Sequence, residues 1–377
     1  MDLDLTDAQR ALRDQAREVS LREISPHAAE IDSQQRFPRQ AVLHLAKLGM
    51  LGVAMPREWG GAGLDAVAAA LMIEEVASAC ASTAAVVAVQ NLACEPILRF
   101  GSEAQKRAWL PALTSGAKLG CFALTETGGS GSASVATLAK REGDGFVISG
   151  SKSFVTCGPV ADIALVFAVT ASGDKDSLSA FLVPTQSPGV SFGPPHGKLG
   201  LRGAVSCAMN LADVRVSADA LLGATGGGRD VLRFALDGGR IGAAALSVGI
   251  ARAAFAAATR YAIDRHTNGE AIANHQAIQF KLADMSTRID AARLLTWRAA
   301  AARDRGATVS VYSAMAKLVG SEAASRVASD AVQVLGGNGC LVDYPVERHF
   351  RDAKVTEIYE GTSEMQRLGI ASALLKE

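Results

Sequence analysis

The sequence predicts an α+β protein: an N-terminal helical domain over 1–118, a middle antiparallel β-domain over 119–225 and a C-terminal four-helix bundle over 226–377. Two observations predict it. Apolar residues recur at helical spacing to about residue 118, alternate in β-branched runs to about 215, and return to helical spacing from about Gly226. The last region then holds helices of about 30 residues in antiparallel succession, which pack as a bundle. No β-α-β rhythm and no Gly-x-Gly-x-x-Gly after a strand is present, so a Rossmann nucleotide site is not supported.

Thr6 followed by Gln9 is a capping box, and Leu12, Ala16 and Val19 share the stripe behind it. Phe37-Pro38 starts a second helix, with the proline in its first turn and Gly49 past its end. Residues 55–63 (MPREWGGAG) form a tight turn, and residues 65–79, 83–100 and 103–114 are further helices. About seven strands follow, among them runs at Cys121, Phe146, Phe154, Ile163 and Leu178. One long helix runs from about 229 to 265. A second carries Ile278, Leu282, Met285 and Ile289, and a third runs from about 308 to 335 and stops at Gly336-Gly337.

Lys plus Arg and Asp plus Glu are each 38, so the formal charge is zero and neither nucleic acid nor an anionic membrane is an expected partner. Aromatics are only 5%, which suits closely packed helices. No run reaches the roughly 18 apolar residues of a membrane span, and MDLDLTDAQR has no signal-peptide character. Six cysteines (80, 94, 121, 157, 207, 340) without Cys-x-x-Cys, and six histidines without His-x-x-x-His, predict a reduced, cytoplasmic chain without a metal site.

The stretch that organises the chain is Glu357-Ile358-Tyr359-Glu360-Gly361-Thr362-Ser363-Glu364. Ser363 and Gln366 read as a capping box. Met365, Leu368, Ala371, Leu374 and Leu375 give the helix behind it one face to bury. Glu364 falls in the first turn, where the dipole favours an anion. Glu360 sits on a tight turn that can aim it at a ligand; equally, all three glutamates read as ordinary surface charges.

IYEGTSEMQR resembles the closing signature of the acyl-CoA dehydrogenase family. Further matches are Leu124-Thr125-Glu126, Phe154-Val155-Thr156, Arg265-His266-Thr267-x-Gly269, His275-Gln276-Ala277-Ile278, Gln333 to Gly339, and Tyr344 to Asp352. The resemblance runs end to end. It implies an acyl-CoA dehydrogenase-like fold, FAD as cofactor, an acyl-CoA substrate, electron-transfer flavoprotein as electron acceptor, and a homotetramer built as a dimer of dimers.

Carried over residue by residue, Glu360 matches the base that abstracts the α-proton of the thioester while flavin N5 takes the β-hydride, giving a trans-2-enoyl product. Burial beside an apolar acyl chain is expected to raise its pKa. Leu124, Thr125, Phe154 and Thr156 match strand residues lining the flavin; Phe154, where many members have tryptophan, reads equally as a core aromatic. Arg265, Thr267, Gln276, Gln333 and Gly337 match positions that reach a neighbouring subunit's FAD, Arg265 as a pyrophosphate partner or as a helix C-terminal cation. Thr362 and Glu364 match adenosine-side contacts. Ser130, Tyr359 and Gly361 fall on the substrate side. Asp237 and Arg240 match contacts to the CoA arm, or form an ion pair. Gly239 belongs to the segment where some members carry the base on the long helix instead, so one base is present and the alternative absent.

The chain departs from the family at Thr125-Glu126-Thr127-Gly128-Gly129-Ser130, which lacks the usual proline and aspartate and is one residue short, and at Asn268, which replaces an aromatic. An acyl-thioester oxidase, a dehydrogenase of an acyl group on a carrier protein, and a flavin-free helical binding protein are the competing readings.

Overall fold

The computed structural model describes residues 4–129, 134–171 and 174–375. Helix α1 (Asp7–Val19) opens on the expected box: Gln9 N–H donates to Thr6 Oγ1 at 3.2 Å, and Thr6 N–H donates back to Gln9 Oε1 at 2.9 Å. The sequence reading moves directly from this helix to Pro38. The structure inserts a π turn, a 3-10 turn containing Pro26, and the short α2 (Ala28–Ser33), because Pro26 has no N–H with which to continue the ladder. Then come α3 (Arg39–Lys47), α4 (Ala66–Ala79), α5 (Ala81–Phe100) and α6 (Glu103–Thr114).

The β-domain comprises β1 (Gly120–Ala123), β2 (Leu138–Glu142), β3 (Gly145–Thr156), β4 (Ile163–Val169), β5 (Leu178–Pro184), β6 (Val190–Phe192), β7 (Ser206–Ser217) and β8 (Leu221–Leu222). Among the described residues these eight make one sheet, in the order β6-β7-β3-β2-β4-β5-β8, with β1 also on β4. It is one strand more than the pattern suggests and not wholly antiparallel. β1 runs parallel to β4 from Gly120↔Ile163 to Ala123↔Val166, and β2 meets the same strand, also in parallel, at Leu138↔Val169. β1 and β2 therefore both lie along β4, one after the other. Leu124 and Thr125 fall past the end of β1, off the strands where the sequence reading puts them.

The last third is helical: α7 (Gly228–Asp264), α8 (Gln276–Asp304), α9 (Ser310–Leu335), α10 (Val346–Thr356) and α11 (Ser363–Leu374), with a two-stranded ribbon, β9 (His266–Thr267) and β10 (Glu270–Ala271), between α7 and α8. α7 is the axis of the molecule and packs on α4, α5, α8, α9 and α10. Ala243, Ala244, Ala245, Ala251, Ala254 and Ala258 on it are buried, so neighbouring backbones come close. Residue for residue, α5 and α7 are apolar enough to cross a membrane, with mean hydropathy 1.3 and 1.7 over their best windows, contrary to the expectation that no such run exists. Those windows are 83% and 67% buried inside the fold, so both are core helices. Glu74 and Glu75 of α4 tie this core together: Arg252 of α7 reaches both, at 2.6 and 2.7 Å, while Arg293 of α8 takes Glu74 and Arg17 of α1 takes Glu75.

Candidate active site

The turn between α10 and α11 holds two successive residues in the left-handed region, Glu360 at φ +56° and Gly361 at φ +89°. Glycine adopts this conformation freely and glutamate does not, so something else must hold the turn. Two buried side chains do. Gln366 Nε2 donates to Glu360 O at 3.1 Å and Gly361 O at 2.9 Å, and Lys317 Nζ on α9 donates to Glu357 O at 3.1 Å and Gly361 O at 2.7 Å. Gln366 is therefore a turn clamp. The cap of α11 is Thr362, whose Oγ1 accepts from Met365 N–H at 3.3 Å, one residue before the expected Ser363, and the Ser363–Gln366 box does not form. Nor does the expected stripe face inward: Met365, Leu368, Leu374 and Leu375 are exposed, while Ser363 and Gln366 are the buried positions of α11.

Glu360 points into the protein. Its Oε2 is buried and has no hydrogen-bond partner, and the neighbouring Tyr359 Oη and Arg240 Nε are in the same state. Buried polar atoms are nearly always paired in folded proteins, so three orphans around one turn mark a place for a polar ligand. Burial pushes the Glu360 carboxyl up to about 7, against the opposing pull of Arg240 and Lys317. The Tyr359 hydroxyl is pushed upward as well, by burial and then by Glu360. Among the described residues no hydrogen bond uses the Glu360 N–H.

Facing the carboxylate is Gly239 of α7. A Cβ there would stand 2.5 Å from Glu360 Oε2 and 2.9 Å from Leu92 Cδ2, so any side chain at this position would push the carboxylate aside. Gly239 also lines a cavity between α4, α5 and α7, walled by Ala70, Ile73, Ala88 and Asn91. It is also lined by the ion pair of Glu95 on α5 with Arg303 on α8, at 2.5 Å, and the guanidinium lies 4.8 Å over the Phe234 ring. The cavity is small, about 40 Å³. Neither Glu95, Asn91 nor Arg303 stands out in the sequence, because a charged or polar residue in a helix reads as solvated.

On the β-domain, the β3–β7 register slips between Lys152↔Met209 and Val155↔Cys207. The resulting bulge throws Phe154 outward at φ +56°, leaving its ring 68% exposed and 5.4 Å from the His196 ring. A large aromatic held out of the core on strained backbone is what a planar ligand would stack on. Thr156 is half-buried beside it, and Thr125, also half-buried, accepts from Ser153 N–H through its carbonyl at 2.7 Å. Leu124 is buried. Behind them lies Lys152, fully buried, paired with Glu126 at 2.7 Å and donating to Phe167 O at 2.6 Å and Leu124 O at 3.3 Å. Lys198 feels both Cys157, next to Thr156, and Asp352 on α10, and Leu201 N–H donates to Asp352 at 2.6 Å. These contacts seat the Phe154 end of β3 against the helix that leads to Glu360. The residues present therefore fit a flavin: an exposed aromatic wall, and orphaned polar atoms around a carboxylate.

The remaining positions divide. Asp237 is buried and accepts from Ser310 at 2.7 Å and Ser313 at 3.2 Å, with Arg240 more distant at 3.4 Å; it ties α7 to α9 and is not free for a ligand, whereas Arg240 Nε is. Thr362 is occupied as the cap, and Glu364 is exposed, its carboxyl held low by its own N–H and by Thr362. Ser130 lies outside the described residues. Arg265, Gln276, Gln333 and Gly337 are exposed and gather with Thr267 at the far end of the bundle, where Asn338 meets Tyr261 at 2.9 Å and Lys281 meets Asp330 at 3.1 Å. From Gly239 to Arg265 along α7 is roughly 39 Å at 1.5 Å per residue. One chain therefore does not bring these five residues to its own Glu360.

Comparison with known proteins agrees with this architecture. Residues 6–117, 121–214 and 226–375 match the N-terminal, middle and C-terminal domains of acyl-CoA dehydrogenase, respectively. The mitochondrial short-chain specific acyl-CoA dehydrogenase of Homo sapiens is 44% identical over 377 residues, covering 99% of this chain and 92% of that protein. Butyryl-CoA dehydrogenase from Megasphaera elsdenii superimposes with TM-score 0.97 at 38% identity, both chains covered in full. A chain in the structure of the electron transferring flavoprotein of Acidaminococcus fermentans does so with TM-score 0.98, also at 38% identity and full coverage. With three domains matched in order and a relative this similar along nearly its whole length, the chain belongs to the acyl-CoA dehydrogenase family of FAD-dependent oxidoreductases.

Proposed function

We propose that this acyl-CoA dehydrogenase converts short, straight acyl-CoA thioesters to trans-2-enoyl-CoA, with Glu360 as the base. The observation that carries the reading is the buried, unpartnered Glu360 Oε2 beside Gly239, on the rim of a small apolar cavity. The acyl chain enters that cavity, and its α-carbon comes to the carboxylate. The Cα–H bond breaks and its proton goes to Glu360, which at a value of about 7 is both ionisable near neutrality and basic enough to accept it. The Glu360 N–H is placed to donate to the thioester oxygen as charge builds there. Bound FAD supplies the acceptor for the β-hydrogen and its electron pair. Phe154, Thr156, Leu124 and Thr125 hold that cofactor from the same chain, with Thr362 and Glu364 near the base. Arg240 and Tyr359 serve the thioester side, with Gly361 giving the turn its shape.

The cavity's size supports a short acyl group, as does the similarity to a short-chain specific enzyme and to butyryl-CoA dehydrogenase. We further propose a homotetramer in which Arg265, Thr267, Gln276, Gln333 and Gly337 serve the flavin of a neighbouring copy; their roughly 39 Å separation from Gly239 supports this. Electron-transfer flavoprotein is the proposed electron acceptor, in keeping with the similarity to a chain of that complex.

Anaerobic mixing of the FAD-loaded enzyme with butyryl-, hexanoyl- and octanoyl-CoA tests the substrate. Bleaching of the flavin fastest with butyryl-CoA is expected, and equal rates along the series would refute the short-chain reading. Glu360→Gln should keep FAD and bind butyryl-CoA, yet lose bleaching by at least about a thousandfold; bleaching at the wild-type rate would remove Glu360 from the mechanism.

A further inference from the structure

Lys317 sits in the first third of α9 and is completely buried. Its ammonium makes no ion pair among the described residues; its hydrogen-bond partners are the carbonyls of Glu357 and Gly361, on either side of Glu360. Burying a cation without a carboxylate contact costs several kcal/mol. Bracing a turn does not require it, since a neutral amide such as Gln366 already donates to two carbonyls from the other side.

The charges that face this ammonium are Glu360 and Glu357 from the turn, Arg240 from α7 and Glu364 from α11. Three are accounted for elsewhere. Glu357 is paired with Lys354 at 2.6 Å, Arg240 stands against Asp237 at 3.4 Å, and Glu364 is exposed. That leaves Lys317 and Glu360 as the two groups in this interior whose charges have no direct partner. Glu360 is the first counter-charge of Lys317, while Glu360 itself feels Arg240 first and then Lys317, and no ion pair joins Lys317 to Glu360 among the described residues.

Resting on the reading of Glu360 as the base, we propose that Lys317 is its positioning residue: it braces the left-handed turn through two carbonyls and supplies the positive charge that lets the buried carboxylate ionise. The electrostatics agree. Burial lowers the Lys317 ammonium to about 8, with Glu360 first among the groups that oppose the fall, and Arg240 and then Lys317 draw the Glu360 carboxyl downward.

The test isolates proton removal from oxidation. Acetyl-CoA has exchangeable α-hydrogens and no β-carbon, so its deuterium uptake in D2O, followed by mass spectrometry on the FAD-loaded enzyme, reports the base alone. In the wild type, uptake should rise with pH through a midpoint near 7. Lys317→Met and Lys317→Gln both remove the charge, and Gln keeps an amide donor. Both should move the midpoint up by about one pH unit, on the order of a tenfold loss below the midpoint, with Gln retaining more of the high-pH plateau. FAD content and melting temperature are measured alongside. An unmoved midpoint in a variant that holds FAD would show a bracing role only and overturn the proposal. So would failure of both variants to fold, because Lys317 would then serve the scaffold. Uptake that survives in Glu360→Gln would instead overturn the base reading itself.

Discussion

Gly239 and Glu360 compete for one space. Gly239→Ala places a methyl group 2.5 Å from the carboxylate oxygen and against Leu92, so the base must turn away. The expected outcome is a fall in butyryl-CoA bleaching of at least about tenfold with FAD content unchanged, since a misplacement near 1 Å costs on that order or more. Glu360 also bears on stability. Its folded value of about 7 lies above the ordinary carboxylate value of 4.5, so the folded state binds the proton more tightly and loses stability as pH rises through that interval. Glu360→Gln should therefore melt above the wild type at mildly alkaline pH, with the gain gone in mild acid; a gain independent of pH would mean that the carboxyl is not desolvated. The sequence motif makes Glu360 legible. It does not reveal Lys317, because a lysine amid AMAKLVG reads as a surface charge. The available sign was its position: Ser313, Gly320 and Ala324 share its helical stripe, and all are buried.

At the scale of elements, helical periodicity is legible wherever the hydrophobic effect alone sets the boundary. The period predicts α7 over about 229–265, and it runs Gly228–Asp264. Legibility fails where hydrogen bonds decide: the cap of α11 falls on Thr362 because Gln366 is taken by the turn, and Thr125 leaves its strand because Glu126 is pulled inward by Lys152. That buried pair organises the loop between β1 and β2, for Glu126 also accepts from Ala136 N–H at 2.8 Å and Thr137 Oγ1 at 2.6 Å. Lys152→Met strands the carboxylate and should destabilise the protein by about 3–5 kcal/mol, lowering the melting temperature and weakening FAD retention. The double variant with Glu126→Gln should recover part of the loss; no recovery would mean that the pair is not the cause. The ion pair between α5 and α8 makes a second prediction. Replacing both Glu95 and Arg303, which line the cavity, by alanine enlarges it and should shift the fastest bleaching from butyryl- to hexanoyl- or octanoyl-CoA. An unchanged order would place the acyl chain elsewhere.

At the scale of the molecule, several large apolar side chains are left uncovered by the chain itself. Phe280 on α8 is 61% exposed and Val342 80%, and Met365, Leu368 and Leu374 of α11 are exposed as well. Exposed apolar side chains of this size support the proposed tetramer. The proposed tetramer makes a counterintuitive prediction: Arg265→Ala, roughly 39 Å along α7 from Gly239, should weaken FAD binding in reconstitution of the apoprotein by about tenfold or more, as loss of a guanidinium–phosphate contact would. Light scattering that finds a monomer with full FAD affinity would contradict it. Sequence patterns cannot separate a face that meets the chain's own core from one that meets a second copy, because both need the same apolar stripe. The stripe of α11, which the sequence places inside and the structure leaves exposed, is the case in point.

The crowding between α7 and the turn also constrains how such a site can change its chemistry over time. A side chain gained on α7 at Gly239 meets the present carboxylate, which must then move aside. With Glu360 as the proposed base, a lineage shifting its proton acceptor to α7 would have to displace or give up the old carboxylate first. The opening beside Gly239 thus biases, over evolutionary time, the wall on which the proposed base is kept.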